Sequence, residues 1–299
     1  MSLDLVSTRC AICEALGNAD TLYPANFDAA SLNPDVFSAR RLPDLLHYQI
    51  VRCRHCGLVR SDPAANPRLL ANLYRESHFT YRADTPNLAK TYGAYLKRTE
   101  RYGLVKEHLL EIGCGDGFFL QEALRQGFAQ VSGVEPGQDA VQRADPLIRP
   151  RIRLGMMRPG LFSPDMFSAI CLFQTLDHIP DPNELLAECY KVLQPGGIML
   201  CLNHNVNAFS ARLLKEKSPI IDIEHMYLYN PQTMRQLFEK HHFHIREVAP
   251  AWNLIRLHSL LRLLPLPKNI KQIILAKTET TRISLTLPLG NLYIIAQKS

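Results

Sequence analysis

Hydrophobic residues in the last two thirds of the chain form short apolar runs separated by stretches with helical spacing. The runs predict buried strands, and apolar residues repeated every three or four positions predict helices. Regular alternation of the two indicates βαβ units, a parallel sheet and right-handed crossovers. The predicted strands are Leu109–Ile112, Gln130–Glu135, Arg151–Leu154, Met166–Phe173 and Ile198–Asn203, and the predicted helices are Phe118–Gln126, Gln138–Ala144 and Asn183–Leu193.

The same alternation continues toward the carboxyl end. A further helix at Pro231–His241 and a strand at His244–Val248 are predicted, and residues 283–296 read as one or two closing strands. Between them, residues 252–264 carry an apolar stripe at helical spacing interrupted by arginines, which predicts an amphipathic helix. Pro265 and Pro267 end it, and a second short amphipathic piece covers 268–277.

The first hundred residues have a different pattern. Residues 1–62 hold two C-x-x-C pairs separated by a proline-containing, loop-rich stretch that includes Pro43. Residues 63–85 read as a polar and aromatic linker, and residues 88–105 as a helix whose regularly spaced tyrosines favour core packing over a substrate mouth. The predicted organisation is a module at 1–62, a linker and helical segment at 63–104, and an α/β domain at 105–299.

One turn in the α/β domain combines strand, glycines and helix. The strand ends at Ile112, glycines follow at 113, 115 and 117, and a helical pattern begins at Phe118. Such a turn lets a ligand lie against bare backbone beside the free N–H groups of a helix start. A dinucleotide fingerprint would require glycine at position 118, so the spacing argues against NAD, while Glu135 after the next strand suits ribose hydroxyls.

The eight cysteines fall into two classes by their spacing. Four are single residues inside apolar runs and are best explained as buried small side chains. The other four form the pairs Cys10/Cys13 and Cys53/Cys56, with glycine after the second pair. Two C-x-x-C motifs predict a zinc site with four thiolate ligands. Such a site would be structural, because no coordination position of the ion is left open. Redox cysteines or disulfides are the alternative.

Composition places the chain among ordinary globular proteins and locates its charge. Hydrophobic residues make up 46% and charged residues 21% of 299, with a net charge of +6. No long apolar span or signal peptide is recognisable, so we expect a cytoplasmic protein. Residues 252–282 hold six cations against one glutamate, which amounts to +5. This basic segment could cap the substrate cleft, form a dimer contact or rest on an anionic membrane, and packing on its own domain is the favoured interpretation.

Five stretches of the chain can be compared in order with the motifs of known families, namely 109–120, 131–135, 165–170, 172–182 and 193–197. They resemble the successive motifs of class I S-adenosylmethionine-dependent methyltransferases. With two cysteine pairs in front and a Glu-His pair after the fifth strand, the chain looks most like zinc-binding bacterial members of that group. These include sugar C-methyltransferases and relatives from polysaccharide pathways. The resemblance implies a Rossmann-like, doubly wound, mostly parallel seven-stranded sheet behind a small zinc ribbon.

The resemblance also implies which residues hold S-adenosylmethionine. Glycines 113, 115 and 117 would admit the methionine portion, Glu111 would lie beneath its amino group, and Glu135 would hold the ribose. The adenine would lie between Met156 and Met157, and the reactive methyl group beside Phe173 and Gln174. The chemistry of the cofactor agrees with this assignment, because a sulfonium cation requires acids and carbonyl groups nearby rather than a phosphate-binding site.

Catalytic groups are expected at the carboxyl edge of the sheet, where open α/β folds bind ligands. Methyl transfer needs a deprotonated nucleophile and accurate positioning, and histidine is the natural base near neutral pH. The resemblance implies His178, Glu224 and His225 in this role. The alternative for His178 is a purely structural one, because Asp181 and Pro182 suit the start of a helix.

Three functions follow from these patterns. The first is methylation of a small molecule, namely a sugar, nucleotide sugar or glycan intermediate. The second is an RNA methyltransferase, which the small basic footprint disfavours. The third is a non-catalytic binding module on a methyltransferase scaffold, against which the intact glycine turn and Glu135 argue.

Overall fold

The computed structural model describes residues 5–28, 32–37, 45–80, 84–263, 268–278, 281 and 283–299. Parts of several predictions lie outside these residues: the amino-terminal tetrapeptide, Pro43, the linker residues 81–83, the breaking prolines 265 and 267, and Glu279 and Arg282 of the basic segment. Within the described chain, no helix combines the length and the apolar character that crossing a membrane requires.

The amino-terminal part is built of short antiparallel strands. Strands β2, β3 and β4 pair in that order, and β1 pairs with β5. The first cysteine pair lies before β2. Of the second pair, Cys53 ends β3 and Cys56 lies in the turn before β4, so the hairpin carries both near its tip. The strands are β1 (Leu5–Val6), β2 (Ala19–Tyr23), β3 (Ile50–Cys53), β4 (Val59–Ser61) and β5 (Ala64–Ala65).

The stretch predicted as a linker contains a helix, α1 (Pro67–Glu76). Asn66 caps it by accepting a hydrogen bond from the backbone N–H of Leu69 at 2.9 Å, and proline occupies the first helical turn, where its missing N–H costs nothing. Leu70 and Leu73 are buried on one face. The linker prediction was therefore wrong here, because a proline-initiated and capped helix was read as polar connecting chain.

The next helix, α2 (Thr85–Arg98), is followed by a 3₁₀ turn at Thr99–Tyr102. Its tyrosine stripe packs into the core, as the sequence predicted: the Tyr92 ring stacks on Phe173 with centroids 4.0 Å apart. Tyr95 and Leu96 are buried beside it. This helix therefore covers one face of the main sheet.

The remaining elements alternate along the chain much as predicted. The strands are β6 (His108–Ile112), β7 (Gln130–Glu135), β8 (Ile152–Leu154), β9 (Phe167–Phe173), β10 (Leu193–His204), β11 (Tyr227–Leu228), β12 (Phe243–Arg256) and β13 (Ser284–Lys298). The helices are α3 (Phe118–Arg125), α4 (Gln138–Arg143), α5 (Pro182–Val192), α6 (Phe209–Leu214), α7 (Pro231–Lys240), α8 (Leu257–Leu263) and α9 (Lys268–Thr278).

Seven of these strands form one sheet in the order β12-β13-β10-β9-β6-β7-β8. The neighbours from β10 to β8 are parallel, and β13 is antiparallel to both of its neighbours. The predicted α/β fold with a doubly wound, mostly parallel seven-stranded sheet is confirmed. The order reverses between β6 and β9, and in open α/β sheets ligands bind at the carboxyl edge beside such a switch point.

Alternate residues of the central strands enter separate cores on the two faces of the sheet. In β9, Ile170 and Leu172 join one apolar cluster, whereas Ala169 and Cys171 join the other. The four single cysteines at 114, 171, 189 and 201 are all buried, which agrees with their prediction as small core side chains. Both faces of the sheet are thus covered, as a parallel sheet requires.

The start of the basic segment differs from its prediction. Helical spacing was expected from Trp252, but β12 continues to Arg256 and the helix α8 begins only at Leu257. The reason is backbone pairing, because residues 253–256 of β12 lie in antiparallel register with residues 284–287 of β13. A continuous ladder with a neighbouring strand overrides a local helical pattern. Helices α8 and α9 are inserted between the two strands, as expected.

A strand from the second half of the chain completes the amino-terminal sheet. The short strand β11 pairs antiparallel with β4, with Tyr227 opposite Arg60 and Leu228 opposite Val59. The order of this sheet is therefore β11-β4-β3-β2. The amino-terminal strands and the loop that follows β10 are one hydrogen-bonded unit.

Candidate active site

The glycine turn after β6 is shaped so that side chains are excluded from it. Gly113, Gly115 and Gly117 all have positive φ angles, of 75°, 57° and 75°. A Cβ atom at Gly113 would lie 2.4 Å from Thr175 Oγ1, and one at Gly117 would lie 2.4 Å from Ile148 Cγ2. The backbone of the turn is therefore open to a ligand only because these residues have no side chain.

Glu135 fixes this turn to the end of the neighbouring strand. Its Oε2 accepts a hydrogen bond from Gly115 N and its Oε1 accepts one from Gly137 N, both at 2.8 Å. Burial raises the pKa of Glu135, although the two N–H groups lower it in part. The predicted ribose acid thus lies directly beside the glycines, with its carboxylate held in one orientation.

Glu111 adds a second buried carboxyl group beneath the turn. It is 2% exposed, and its Oε2 has no hydrogen-bond partner among the residues that the structure describes. Burial and the nearby Glu135 and Asp116 raise the pKa of Glu111 well above its ordinary value. An acidic pocket of this kind repels phosphate and suits a ligand with a positively charged ammonium or sulfonium group. The donor set therefore fits S-adenosylmethionine.

The other predicted cofactor residues are arranged less uniformly. Met156 and Met157 follow β8 and are half-buried. The Phe173 ring lies in the core, stacked on Tyr92 and 4.6 Å from the ring of Phe119, so it does not join Gln174 at the sheet edge. Gln174 has a φ of 55° and a buried Oε1 without a hydrogen-bond partner among the described residues. Gln174 thus offers a buried amide oxygen directly after β9.

Two of the three predicted catalytic residues, His178 and His225, meet at a buried aspartate. Asp177, which is 1% exposed, lies in the 3₁₀ turn after β9, and His178 Nε2 is 3.6 Å from its Oδ1. The rings of His178 and His225 are 4.8 Å apart, and Glu224 is buried next to His225 in the chain. The predicted helix start is also present, because Asp181 accepts hydrogen bonds from the N–H groups at the beginning of α5.

The loop carrying Glu224 and His225 is held by its own backbone and by neighbouring elements. His225 Nδ1 is 2.8 Å from the carbonyl oxygen of Ile220, and Glu224 N donates to Asp222 Oδ1 at 3.0 Å. Met226 N donates to the carbonyl oxygen of Asp177 at 2.8 Å. These bonds fix the loop over the end of β9.

Two members of the cluster were not singled out from the sequence. His204, at the end of β10, places Nδ1 2.7 Å from Asp177 Oδ2. Tyr74, on α1, places its hydroxyl 3.1 Å from His178 Nδ1. His204 could have been found, since it directly follows the fifth predicted strand at the same edge as His178. Tyr74 carried no such signal, because its helix had been read as a linker.

The charges in this cluster depend on one another. Burial alone would raise the pKa of Asp177, but His178 and His204 together hold it well below its usual range. Burial lowers the pKa of His225, and His204 lowers it further. His225 is therefore a neutral imidazole at neutral pH, beside an ionised Asp177. Burial and the nearby carboxylates of Glu224 and Asp177 raise the pKa of Tyr74.

The four paired cysteines also converge, away from this cluster. Their Sγ atoms all lie within 4.8 Å of one another, with Cys10 and Cys56 3.2 Å apart and Cys13 and Cys53 3.4 Å apart. These separations exceed a disulfide bond of about 2.05 Å. Backbone N–H groups of His55 and Cys56 point at the Cys53 sulfur. Four thiolates around one point form a donor set that fits a tetrahedral metal ion.

Comparison with known proteins supports the assignment of the fold. The methyltransferase-domain family model matches residues 81–248, which is more than half of the chain. The chain resembles the solved structure of an S-adenosylmethionine-dependent methyltransferase from Thermotoga maritima, described as a possible histamine N-methyltransferase. That likeness has a TM-score of 0.50 at 17% identity and covers 73% of this chain and 92% of the other. At this identity it shows the fold alone.

Curated relatives match a shorter region. The ubiquinone biosynthesis O-methyltransferase of Pseudomonas aeruginosa is 32% identical over 126 residues, which is 37% of this chain and 50% of the relative. The enzyme of that name from Vibrio cholerae is 27% identical over 123 residues, or 36% and 46% of the two chains. The chain thus spans about half the length of the curated relatives it matches. Together with the family match, the glycine turn and its two acids, this places the chain in the methyltransferase-domain family, with the class I S-adenosylmethionine-dependent fold.

Proposed function

We propose that this protein transfers the methyl group of S-adenosylmethionine to a small-molecule acceptor. The observation that carries the proposal is the junction of two sites at the end of β9. Thr175 contacts the glycine turn at Gly113, and Asp177, two residues later, is the centre of the histidine cluster. A cofactor in the acidic turn and an acceptor at the cluster would therefore meet at one edge of the sheet.

The residues proposed to hold the cofactor are those of the turn and the strand ends beside it. The unpaired Oε2 of Glu111 suits the ammonium group, and the carboxylate of Glu135 suits the ribose hydroxyls. Met156, Met157 and Gln174 border the same edge. When bound, the cofactor supplies an electrophilic methyl group on a sulfonium sulfur.

The histidine cluster is proposed to prepare the acceptor. An in-line displacement requires a nucleophile that has lost, or is losing, its proton. A neutral imidazole near an ionised carboxylate can accept that proton. His178 and His225 lie beside Asp177, and Glu224 is buried next to His225 in the chain. We assign these three residues to the acceptor side of the reaction.

For the acceptor we propose a sugar, nucleotide sugar or glycan intermediate. The support is the combination of two cysteine pairs with a Glu-His pair in the loop after β10, which resembles the sugar methyltransferase group. The second candidate is an acceptor of the ubiquinone biosynthesis type, which the names of the curated relatives favour.

We propose that the four-cysteine cluster binds a structural Zn²⁺ ion. Tetrahedral Zn–S bonds of about 2.3 Å place sulfur atoms about 3.8 Å apart, within the spread observed here. N–H groups of Ala15 and Leu58 also point at the sulfurs of Cys13 and Cys56, as in metal-binding knuckles. The role of the ion would be structural, because cysteine side chains would fill all four of its coordination positions.

The basic segment is proposed to act as a cap on its own domain. Ser259 on α8 donates to Asp84 Oδ1 at 2.7 Å, which ties the segment to the start of α2. His258 lies 3.3 Å from the hydroxyl of Thr278, which joins α8 to the end of α9. An anionic membrane surface remains the second proposal for Lys277 and the exposed Ile273.

Calorimetric titration with S-adenosylhomocysteine tests the cofactor assignment. We expect binding by the wild type and at least about tenfold weaker binding by Glu135→Ala, the loss of about 1.4 kcal/mol. Transfer of tritium-labelled methyl groups to a panel of nucleotide sugars and phenolic acceptors then tests the reaction. Absence of S-adenosylhomocysteine binding would overturn the proposed function, and labelling of only the phenols would replace the sugar acceptor by the second candidate.

A further inference from the structure

His204 and Asp177 form a carboxylate–imidazole pair at the edge of the sheet. The distance from His204 Nδ1 to Asp177 Oδ2 is 2.7 Å, a hydrogen bond of ordinary length. Because the ionised carboxylate can only accept, the imidazole must donate from Nδ1–H. The lone pair of the neutral ring is then on Nε2, and the carboxylate holds the ring in this tautomer.

The other two imidazoles of the cluster differ from that of His204, one in its contacts and the other in its burial. His178 has the Tyr74 hydroxyl at Nδ1 and the Asp177 carboxylate near Nε2. His225 is buried, and its Nδ1 is bound to a backbone carbonyl oxygen. In contrast, His204 Nε2 has no hydrogen-bond partner within the described chain, and its side chain is 24% exposed, compared with 18% for His178.

The position of His204 also suits contact with a reacting acceptor. It ends β10, whose Leu202 is in parallel register with Phe173 at the end of β9. The N–H of Gln174 donates to the carbonyl oxygen of Leu202 at 2.7 Å, so the two strand ends are held together. Thr175, the next residue, touches the glycine turn at Gly113. The end of β9 therefore lies between His204 and the proposed cofactor site and contacts both β10 and the glycine turn.

We propose that His204 is the catalytic base of this protein and that Asp177 is its positioning residue. The proposal rests on the proposed methyltransferase function and deepens it, because it selects one imidazole that neither the motifs nor the family match assigns. His178 and His225 then form the walls of the site. The ring of His225 lies 4.7 Å from that of His204 and 4.8 Å from that of His178.

The proposed step transfers one proton to His204 and one methyl group to the acceptor. The proton of the acceptor atom moves to the lone pair of His204 Nε2, and the electron pair of the broken bond forms the new bond to the methyl carbon. The S–CH₃ bond breaks and its electrons stay on sulfur, which yields neutral sulfur in S-adenosylhomocysteine. The imidazolium is stabilised by Asp177 and returns its proton to water through its exposed edge.

Substitutions at two positions, 204 and 177, separate the base from the hydrogen bond. In His204→Asn the amide nitrogen replaces Nδ1 and can still donate to Asp177, but the basic nitrogen is absent. We expect unchanged binding of S-adenosylhomocysteine and a fall in kcat of about 100-fold or more, with loss of one ionisation from the acid limb of the pH profile. Asp177→Asn should also lower kcat, because it allows the unproductive tautomer. His244→Asn, on the exposed side of β12, is the control and should retain wild-type rates.

A measurement that needs no acceptor tests the same geometry. Long-range ¹H–¹⁵N spectra of histidine rings, recorded with S-adenosylhomocysteine bound, should show that the neutral form of the His204 ring carries its proton on Nδ1 and leaves Nε2 free. Asp177→Asn should abolish that preference. A neutral His204 ring that carries its proton on Nε2 overturns the proposal, as does His204→Asn with wild-type kcat and pH profile. A wild type that binds no S-adenosylhomocysteine would instead overturn the proposed function itself, while the tautomer spectrum of the ligand-free protein would still decide the geometry.

Discussion

Ser61 donates its hydroxyl to the carbonyl oxygen of His225 at 2.8 Å, although 164 positions separate the two residues. The backbone N–H of Ser61 also donates to Met226 O at 2.9 Å. A residue of the amino-terminal sheet thus holds the loop that carries a candidate catalytic histidine. The Tyr227 hydroxyl, which donates to Arg9 O at 3.0 Å, extends this link to the residue before Cys10.

Ser61→Ala should therefore destabilise the protein, although residue 61 belongs to the amino-terminal sheet and not to the acidic turn. The substitution leaves the buried carbonyl oxygen of His225 without its side-chain donor, at a cost of about 1–3 kcal/mol. Urea unfolding monitored by fluorescence measures the loss. Ser77→Ala is the matched control, because among the described residues that hydroxyl donates its hydrogen bond to Tyr74 O within its own turn. Equal effects of the two substitutions would contradict the link.

Gly113→Ala should abolish cofactor binding and lower stability. The new Cβ would lie 2.4 Å from Thr175 Oγ1 in a backbone with a φ of 75°. Gly103→Ala offers a control with a φ of 80° and open space around the Cβ, so it should cost only the backbone strain of about 1–2 kcal/mol. Thermal unfolding and S-adenosylhomocysteine calorimetry distinguish the two. If Gly103→Ala were the more damaging variant, the clash at Thr175 would not be the cause.

Glu111→Gln should increase the stability of the ligand-free protein at neutral pH. A carboxyl group whose pKa is raised in the folded state binds more protons there than in the unfolded chain. Its contribution to the free energy of unfolding therefore falls as the pH rises from about 4.5 through the folded pKa. The variant should gain about 1 kcal/mol at pH 8 and lose this advantage as the pH falls below about 4.5, where the unfolded chain also becomes protonated.

The same variant should bind S-adenosylhomocysteine less tightly. The charge of the Glu111 carboxylate, which destabilises the ligand-free folded state, would attract the ligand's ammonium group and is absent from the variant. Melting curves at several pH values, with and without this ligand, measure both effects. A variant that is less stable than the wild type at pH 8, or one that binds the ligand equally well, would show that Glu111 is satisfied by something other than the cofactor.

Cys53→Ser should remove about one equivalent of zinc per chain and lower the melting temperature. Loss of even about 3 kcal/mol from a domain of this size corresponds to a fall of roughly 5–10 °C. Elemental analysis of the purified protein and thermal scans provide the two readouts. Cys189→Ala, which changes a buried cysteine of α5, should keep its zinc. A folded wild type without metal would disprove the zinc proposal.

The parallel sheet could be predicted because its central strands are largely buried and are bounded by glycines or helix caps. Every residue of β9 is buried, and Asp181 and Pro182 mark the start of α5 as expected. Glu135 could be placed for the same reason, because an acid at the end of a buried strand must lie at the carboxyl edge. The spacing of apolar residues along each segment is enough to predict these strands and helix starts, without information about distant parts of the chain.

Long-range pairing explains most of what could not be predicted. The helical spacing after Trp252 gave way to a ladder with β13, and the helix α1 was hidden by its polar surface. The ring of Phe173 turned into the core because Tyr92, from a helix far away in the sequence, offered a stacking partner. His204 joined the site through Asp177, a contact between strand ends whose register no local pattern reveals.

The pairing of β11 with β4 sets an order of events during synthesis. Until residue 228 has left the ribosome, β4 is an unpaired sheet edge and the amino-terminal sheet lacks a strand. At about 5–20 residues per second, that interval lasts several seconds at least, in which the early cysteines are already exposed. The first part of the chain to be made is thus among the last to be finished, and its maturation waits for the methyltransferase sheet.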